Sequence, residues 1–174
     1  MIDLLFITMC RLPQVSSLTL WEIIKVESNF NELAININSP RLKNPKAQSI
    51  TESIKSAKKL IANGLSVDLG LMQINSKNLA KFTLSIEGAF DPCQNIRVGS
   101  QILKDNYDRA AEGLGSGQAA LKAALSAYNT GNFHAGFSNG YVGRYYGEKI
   151  VLKRTKAPLP IEDNYPYYDA EGAP

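Results

Sequence analysis

The chain has 174 residues, 44% of them apolar and 20% charged, one domain's worth at roughly 100–200 residues per domain. That composition can bury a core and excludes a disordered chain. No apolar run approaches the ~18 residues of a membrane span, so no transmembrane segment is expected. One His and two Cys cannot complete a four-ligand zinc site by themselves, and no metal-ligand spacing appears. Neither metal nor cofactor is expected.

The net charge of +3 is unevenly spread. All nineteen Lys and Arg lie at or before Lys156, against twelve acids there, so the body carries +7 and the rest −4. A basic body suits a polyanionic partner such as nucleic acid, a lipid surface or an acidic polymer. A solvated basic face is the plain alternative. Specific nucleic-acid binding is not expected, because Lys58-Lys59 and Lys153-Arg154 are short pairs without interleaved aromatics.

In chain order, residues 4–9 are apolar, but Asp3 stands where a signal peptide carries a positive charge. Residues 1–10 read as a first helix, or as the start of a chain whose signal has been removed. Thr19 and Glu22 have capping-box spacing, and Leu20, Ile23, Ile24 and Glu27 share one helical face. Ser49 and Glu52 form a second box, Ile50, Ile54, Ala57 and Ile61 make a stripe, and Gly64 is a helix stop. Residues 65–75 read as extended, through Val67, Leu69, Leu71 and Gln73. Asp91 before Pro92 predicts an N-cap and a long helix through Ile96, Gly99, Leu103 and Ala110 to Gly113. Ser116 opens an Ala-rich helix ending near Gly131, and a last helix fits 139–152, carrying Tyr141, Tyr145 and Tyr146. Residues 157–174 hold four of eight prolines and three of eight tyrosines, and cannot fold alone. The expected organisation is one mostly helical domain, residues 1–156, with an acidic Pro- and Tyr-rich tail, residues 157–174, mobile or docked.

Gly113, Gly115 and Gly117 tempt a phosphate-loop reading, but no strand precedes them, and a helix–helix loop explains them. His134 has no Ser or Cys partner in a recognisable motif. Glu27 is the informative residue. A carboxylate on an apolar helix face is desolvated, which raises its pKa and suits a general acid. Neutralisation by a basic side chain is the alternative. Gly70-Leu71-Met72-Gln73-Ile74-Asn75 brings backbone close to a cleft and offers an amide. Ala127-Tyr128-Asn129 before Gly131 offers a stacking face with a hydroxyl, which suits sugars. Each alone is also consistent with core packing and a helix cap.

Glu27-Ser28, Gly-Leu-Met-Gln at 70–73 and Ala-Tyr-Asn at 127–129, in this order, resemble the lysozyme-like lytic transglycosylase domain of the goose-type and soluble lytic transglycosylase kind. Cys10, Phe90-Asp91-Pro92-Cys93-Gln94-Asn95 and Asn129-Thr130-Gly131-Asn132 are similar to the branch found in bacterial type IV secretion and conjugation systems. The resemblance covers about residues 8–150. It implies a mainly α domain with a small extended segment near the cleft. It also implies cleavage of peptidoglycan glycan strands in the periplasm of a bacterium, after export, beside secretion or conjugation proteins.

By that resemblance, Glu27 is the catalytic acid and Ser28, Met72, Gln73, Tyr128, Asn129, Tyr141 and Tyr145 bind substrate. Cys10 and Cys93 match cysteines of the same branch and form a disulfide candidate, two buried thiols being the alternative. Asn31-Glu32 replaces the usual Asn-Pro, Asn36 stands where many relatives have a cleft serine, and an insertion holding residues 51–63 separates the first two motifs. A hydrolysing glycosidase usually needs two carboxylates, and Glu32 and Asp68 are the nearest candidates by sequence. A lytic transglycosylase needs one. Glu27 would protonate the leaving oxygen, then take the proton of the muramyl 6-hydroxyl, giving a 1,6-anhydro product. A hydrolytic muramidase on the same fold and a non-catalytic peptidoglycan-binding scaffold are the alternatives.

Overall fold

A computed structural model describes residues 2–146. The tail at 157–174, and the last part of the helix expected over 139–152, lie outside the described residues. The described residues divide into two compact units, one up to Ser100 and one from Gln101 onward.

The first unit opens with α1 (Leu4–Cys10), started by Asp3, whose carboxylate accepts from the Phe6 N–H at 2.8 Å. It lies against α2 (Ser17–Ser28), and Ile7, Cys10, Leu20, Ile23 and Ile24 fill the core there. The cap of α2 differs from the expected Thr19–Glu22 box. Ser16 is the N-cap, without a side-chain cap bond, and Thr19 is buried one turn inside the helix. The spacing alone cannot separate a cap from a threonine on the buried face.

α3 (Ile50–Ala62) starts at Ser49, whose hydroxyl accepts from the Glu52 N–H at 3.2 Å. The Glu52 carboxylate reaches back to the Gln48 N–H at 2.8 Å. The helix stops in a Schellman arrangement: Gly64, at φ 76°, donates to Ile61, and Leu65 donates to Leu60. Its buried face is Ser53 and Ala57, while Ile50 is exposed and Ile54 and Ile61 are half-buried. The expected aliphatic stripe is therefore shifted, because the Ser53 hydroxyl turns inward to donate to the Leu33 carbonyl at 3.2 Å.

The segment at 65–75 is a hairpin rather than one extended run. β2 (Val67–Leu69) turns back at Gly70 into β3 (Ile74–Asn75), and β1 (Ile35–Ile37) pairs antiparallel on the other side of β2. The strand β1 was too short to show in the sequence pattern. Ile35, Ile37, Val67, Leu69 and Ile74 are buried on one face. Asn36, Asp68 and Asn75 stand in register across the other. A 3₁₀ turn (Ser76–Asn78) and α4 (Ile86–Ala89) lead to α5 (Pro92–Leu114). As expected, Asp91 caps α5, accepting from the Gln94 N–H at 2.8 Å. Cys10 and Cys93 are joined in a disulfide with their Cα atoms 5.0 Å apart, which ties α1 to the first turn of α5.

The second unit takes the rest of α5, then α6 (Gln118–Thr130), α7 (Ala135–Ser138) and α8 (Gly143–Tyr146). Gly117, at φ 126°, precedes α6, so the helix opens there rather than at Ser116. The Tyr107 hydroxyl accepts from the Gly117 N–H at 2.9 Å and holds that turn. Gly131 ends α6 in the left-handed region. The described part of 139–152 is not one helix, because Asn139–Val142 form a turn, Gly140 at φ 79°, between α7 and α8. The α6–α7 connection is tightly pinned. The buried Ser126 hydroxyl donates to the Asn132 carbonyl at 2.6 Å and accepts from the Gly136 N–H at 2.8 Å. A Cβ at Gly136 would collide with Ser126 itself.

Candidate active site

Glu27 sits in the last turn of α2, three and four residues beyond the fully buried Ile24 and Ile23. It is half-buried. The helix thus carries a carboxylate from its dry stripe towards its edge, as the periodicity requires. The next residue, Ser28, is half-buried and donates its hydroxyl to the Ile24 carbonyl at 3.1 Å. The chain then leaves the helix through two residues with positive φ, Asn29 and Phe30, and the Phe30 ring packs at 4.5 Å on Trp21.

The hairpin turn is built around Gly70, at φ 72°. Its N–H donates to the Ala34 carbonyl at 2.9 Å. Gln73, at φ 50°, donates its amide nitrogen to the Gly70 carbonyl at 2.8 Å and to the Ala34 carbonyl at 3.4 Å. With that nitrogen engaged, the carbonyl end of the half-buried side chain is what Gln73 can offer a ligand.

Met72 is placed differently from the cleft wall expected for it. It is completely buried, and its thioether fills the space left by the missing side chain of Gly99 on α5. Its backbone N–H donates to the Asn95 side chain at 2.8 Å. Met72 holds the turn from beneath and leaves the exposed side to Gln73.

Asn95 has no role in the motif reading, and the structure gives it one. Buried at 1% exposure, it also donates to the Leu69 carbonyl at 3.0 Å and the Ala89 carbonyl at 2.7 Å. Its place at the end of the Phe90–Asn95 motif, one turn into α5, is the signal that could have hinted at this.

Asp68 lies at the centre of the polar face of the sheet, half-buried. It accepts from the Asn75 amide at 2.7 Å and from the Asn36 amide at 3.4 Å. Asn44 extends the row, donating to the Asn36 carbonyl oxygen at 2.9 Å. Glu32 is half-buried in the loop before β1. The described residues contain no group of three or more side chains that could hold a metal ion.

In the second unit, Tyr128 and Asn129 occupy the last turn of α6, half-buried and exposed respectively. The Asn139 amide donates to the Asn129 carbonyl oxygen at 3.0 Å. Tyr141 is buried at 2% exposure and carried by the turn before α8. The Tyr145 hydroxyl donates to the Tyr141 hydroxyl at 2.6 Å, and their rings meet edge-on at 5.3 Å. The half-buried Tyr145 is the more accessible of the two. Thus Glu27, Ser28, Met72 and Gln73 fall in the first unit, and Tyr128, Asn129, Tyr141 and Tyr145 in the second.

The mainly α fold, with a small antiparallel sheet and an acid in the last turn of its second helix, agrees with the lysozyme-like domain that the family profile assigns. The family profile described as Transglycosylase SLT domain matches residues 5–151, and the chain belongs to that family. It is 39% identical over 150 residues to the type IV secretion system protein virB1 of Brucella abortus, covering 86% of this chain and 63% of that protein. It is 40% identical over 130 residues to the protein virB1 of Rhizobium radiobacter, covering 75% and 54%. The corresponding figures for Agrobacterium fabrum virB1 are 36%, 75% and 52%. The chain therefore spans between half and two thirds of the length of these curated relatives. No solved structure matches it.

Proposed function

We propose that this protein is a peptidoglycan lytic transglycosylase, cleaving the β-1,4 bond between N-acetylmuramic acid and N-acetylglucosamine. It would open the cell wall locally for a type IV secretion or conjugation apparatus, in the bacterial periplasm. The observation that carries this reading is Glu27, a half-buried carboxylate at the end of the α2 stripe, in a chain of the SLT family. The virB1 relatives support the secretion context.

In this reading Glu27 starts protonated and donates to the glycosidic oxygen as the bond breaks. As carboxylate it then removes the proton of the muramyl 6-hydroxyl, whose oxygen closes on C1. Proton and electron pairs balance without water or a second carboxylate. Gln73, Tyr128, Asn129 and Tyr145 would orient the glycan, while Met72 and Tyr141 act from below the surface as supports.

One observation favours a second reading. Asp68 is a second half-buried carboxylate, held by two amides, and a hydrolytic muramidase calls for such a pair. Mass spectrometry of digested sacculi separates the two. Anhydro-muramyl ends support the transglycosylase, reducing ends the muramidase. If neither end appears above the level of a Glu27→Gln control, the non-catalytic scaffold takes their place.

A further inference from the structure

We infer that Asn139 is a positioning residue, which fixes the Asn129 side chain as a hydrogen-bond donor facing the glycan. The inference rests on the transglycosylase reading above and adds a residue to it.

The argument follows from which groups can only donate. A backbone N–H has no acceptor capacity. The Tyr141 N–H donates to the Asn139 Oδ1 at 2.9 Å, so that end of the Asn139 amide is settled as oxygen. Its other end is then necessarily the NH₂ group, and this donates to the Asn129 Oδ1 at 3.0 Å. Asn129 must in turn present its oxygen to Asn139 and its NH₂ group away from Asn139. Side-chain amides are ordinarily free to flip, and this chain of three residues removes the choice.

The setting makes the orientation durable. Asn129 is exposed in the last turn of α6, and Asn139 is the C-cap of α7. The Ser126 hydroxyl, bonded to both Asn132 and Gly136, locks the connection between those helices. The Asn132 side-chain oxygen accepts from the His134 and Ala135 N–H groups at 2.8 and 3.0 Å.

A group that can only donate needs an oxygen that can accept. Hydroxyls satisfy either role and are poorly discriminated by such a group. The carbonyl oxygen of an acetamido substituent accepts only, so this donor fits the N-acetylated glycan of the reading above.

The test compares Asn139→Asp with the parent chain. The carboxylate keeps an acceptor for the Tyr141 N–H but puts a second acceptor against Asn129, turning the Asn129 NH₂ inward. Steady-state release of anhydro products from soluble N-acetylated glycan strands should show KM raised about three- to tenfold, the size of one hydrogen bond. kcat should stay within about twofold. In an Asn129→Ala background the same change should raise KM no further. Asn139→Ser replaces Asn139→Asp if the latter melts early, and should show the same pattern.

An unchanged KM overturns the inference, as does an equal rise in the Asn129→Ala background, or a fall in kcat alone. The parent chain reports on the parent reading. If it releases anhydro products while the variants match it, only the role of Asn139 fails. If it releases none, the transglycosylase reading fails and this inference with it.

Discussion

Gly70 and Asn95 interlock so closely that one added carbon at residue 70 has no place to go. A Cβ there would collide with the Asn95 amide and the Ala89 carbonyl. The backbone at Gly70 is also in the left-handed region, which costs any other residue additional strain. The turn that carries Gln73 depends on this fit, because Asn95 ties residues 69, 72 and 89 together with three buried hydrogen bonds.

Replacing Asn95 by Ala should remove all three of these buried bonds, to the Met72 N–H and to the Leu69 and Ala89 carbonyls. At a net contribution of about 0.5–1.5 kcal/mol per hydrogen bond, the expected loss is about 3 kcal/mol. For a chain of this size that is roughly a 6–12 °C fall in melting temperature. Gly70→Ala should be at least as harmful. Thermal unfolding followed by circular dichroism checks both, and a fall of less than about 2 °C for either would contradict the packing described.

Glu27→Gln preserves the shape of the side chain but cannot shuttle a proton. Release of anhydro products should fall by at least ~10²-fold, with binding of glycan strands retained. Asp68→Asn and Glu32→Gln should keep most activity, since the proposed chemistry asks for one carboxylate. If a folded Asp68→Asn is as inactive as Glu27→Gln, the muramidase reading takes the lead.

The Cys10–Cys93 disulfide closes a sequence separation of 83 residues. Chain entropy assigns such a loop roughly 4 kcal/mol of stabilisation. The paired Cys10→Ser and Cys93→Ser variant should therefore melt about 8–16 °C lower than the oxidised protein. Calorimetry with and without reductant should show the same gap in the parent chain and none in the variant.

Glu87 pairs with Lys58, and hydrogen bonding to that ammonium group holds its carboxyl below the usual value. A depressed folded-state pKa stabilises the fold above the unfolded value, and that contribution disappears as pH falls through the folded value. The pair is exposed, so salt and solvent screen it. Titration of the Glu87 carboxyl by NMR should show its pKa rising towards the ordinary glutamate value in Lys58→Ala. No movement would mean that the pair does not persist in solution.

Local signals were strong enough to determine much of this protein. Asp91-Pro92, Ser49 with Glu52, and Gly64 announced helix boundaries, because caps depend on residues three or four positions apart. The 3.6-residue period put Glu27 on the stripe of Leu20, Ile23 and Ile24 without any tertiary information. The order of the Glu-Ser, Gly-Leu-Met-Gln and Ala-Tyr-Asn motifs was sufficient for the family.

What only the tertiary structure decided depends on partners distant in sequence. Thr19 is core rather than cap because its face of α2 is covered. Residues 65–75 fold back as a hairpin because Asn95, more than twenty positions away, satisfies the turn. Met72 and Tyr141 are supports rather than surfaces because Gly99 makes room for one and the Tyr145 hydroxyl meets the other. The orientation of Asn129 is set by Asn139, ten residues on, through a turn whose shape depends on Ser126. Periodicity reports which side chains share a face of one element. Which of those faces is covered, and by what, is settled only when the elements pack.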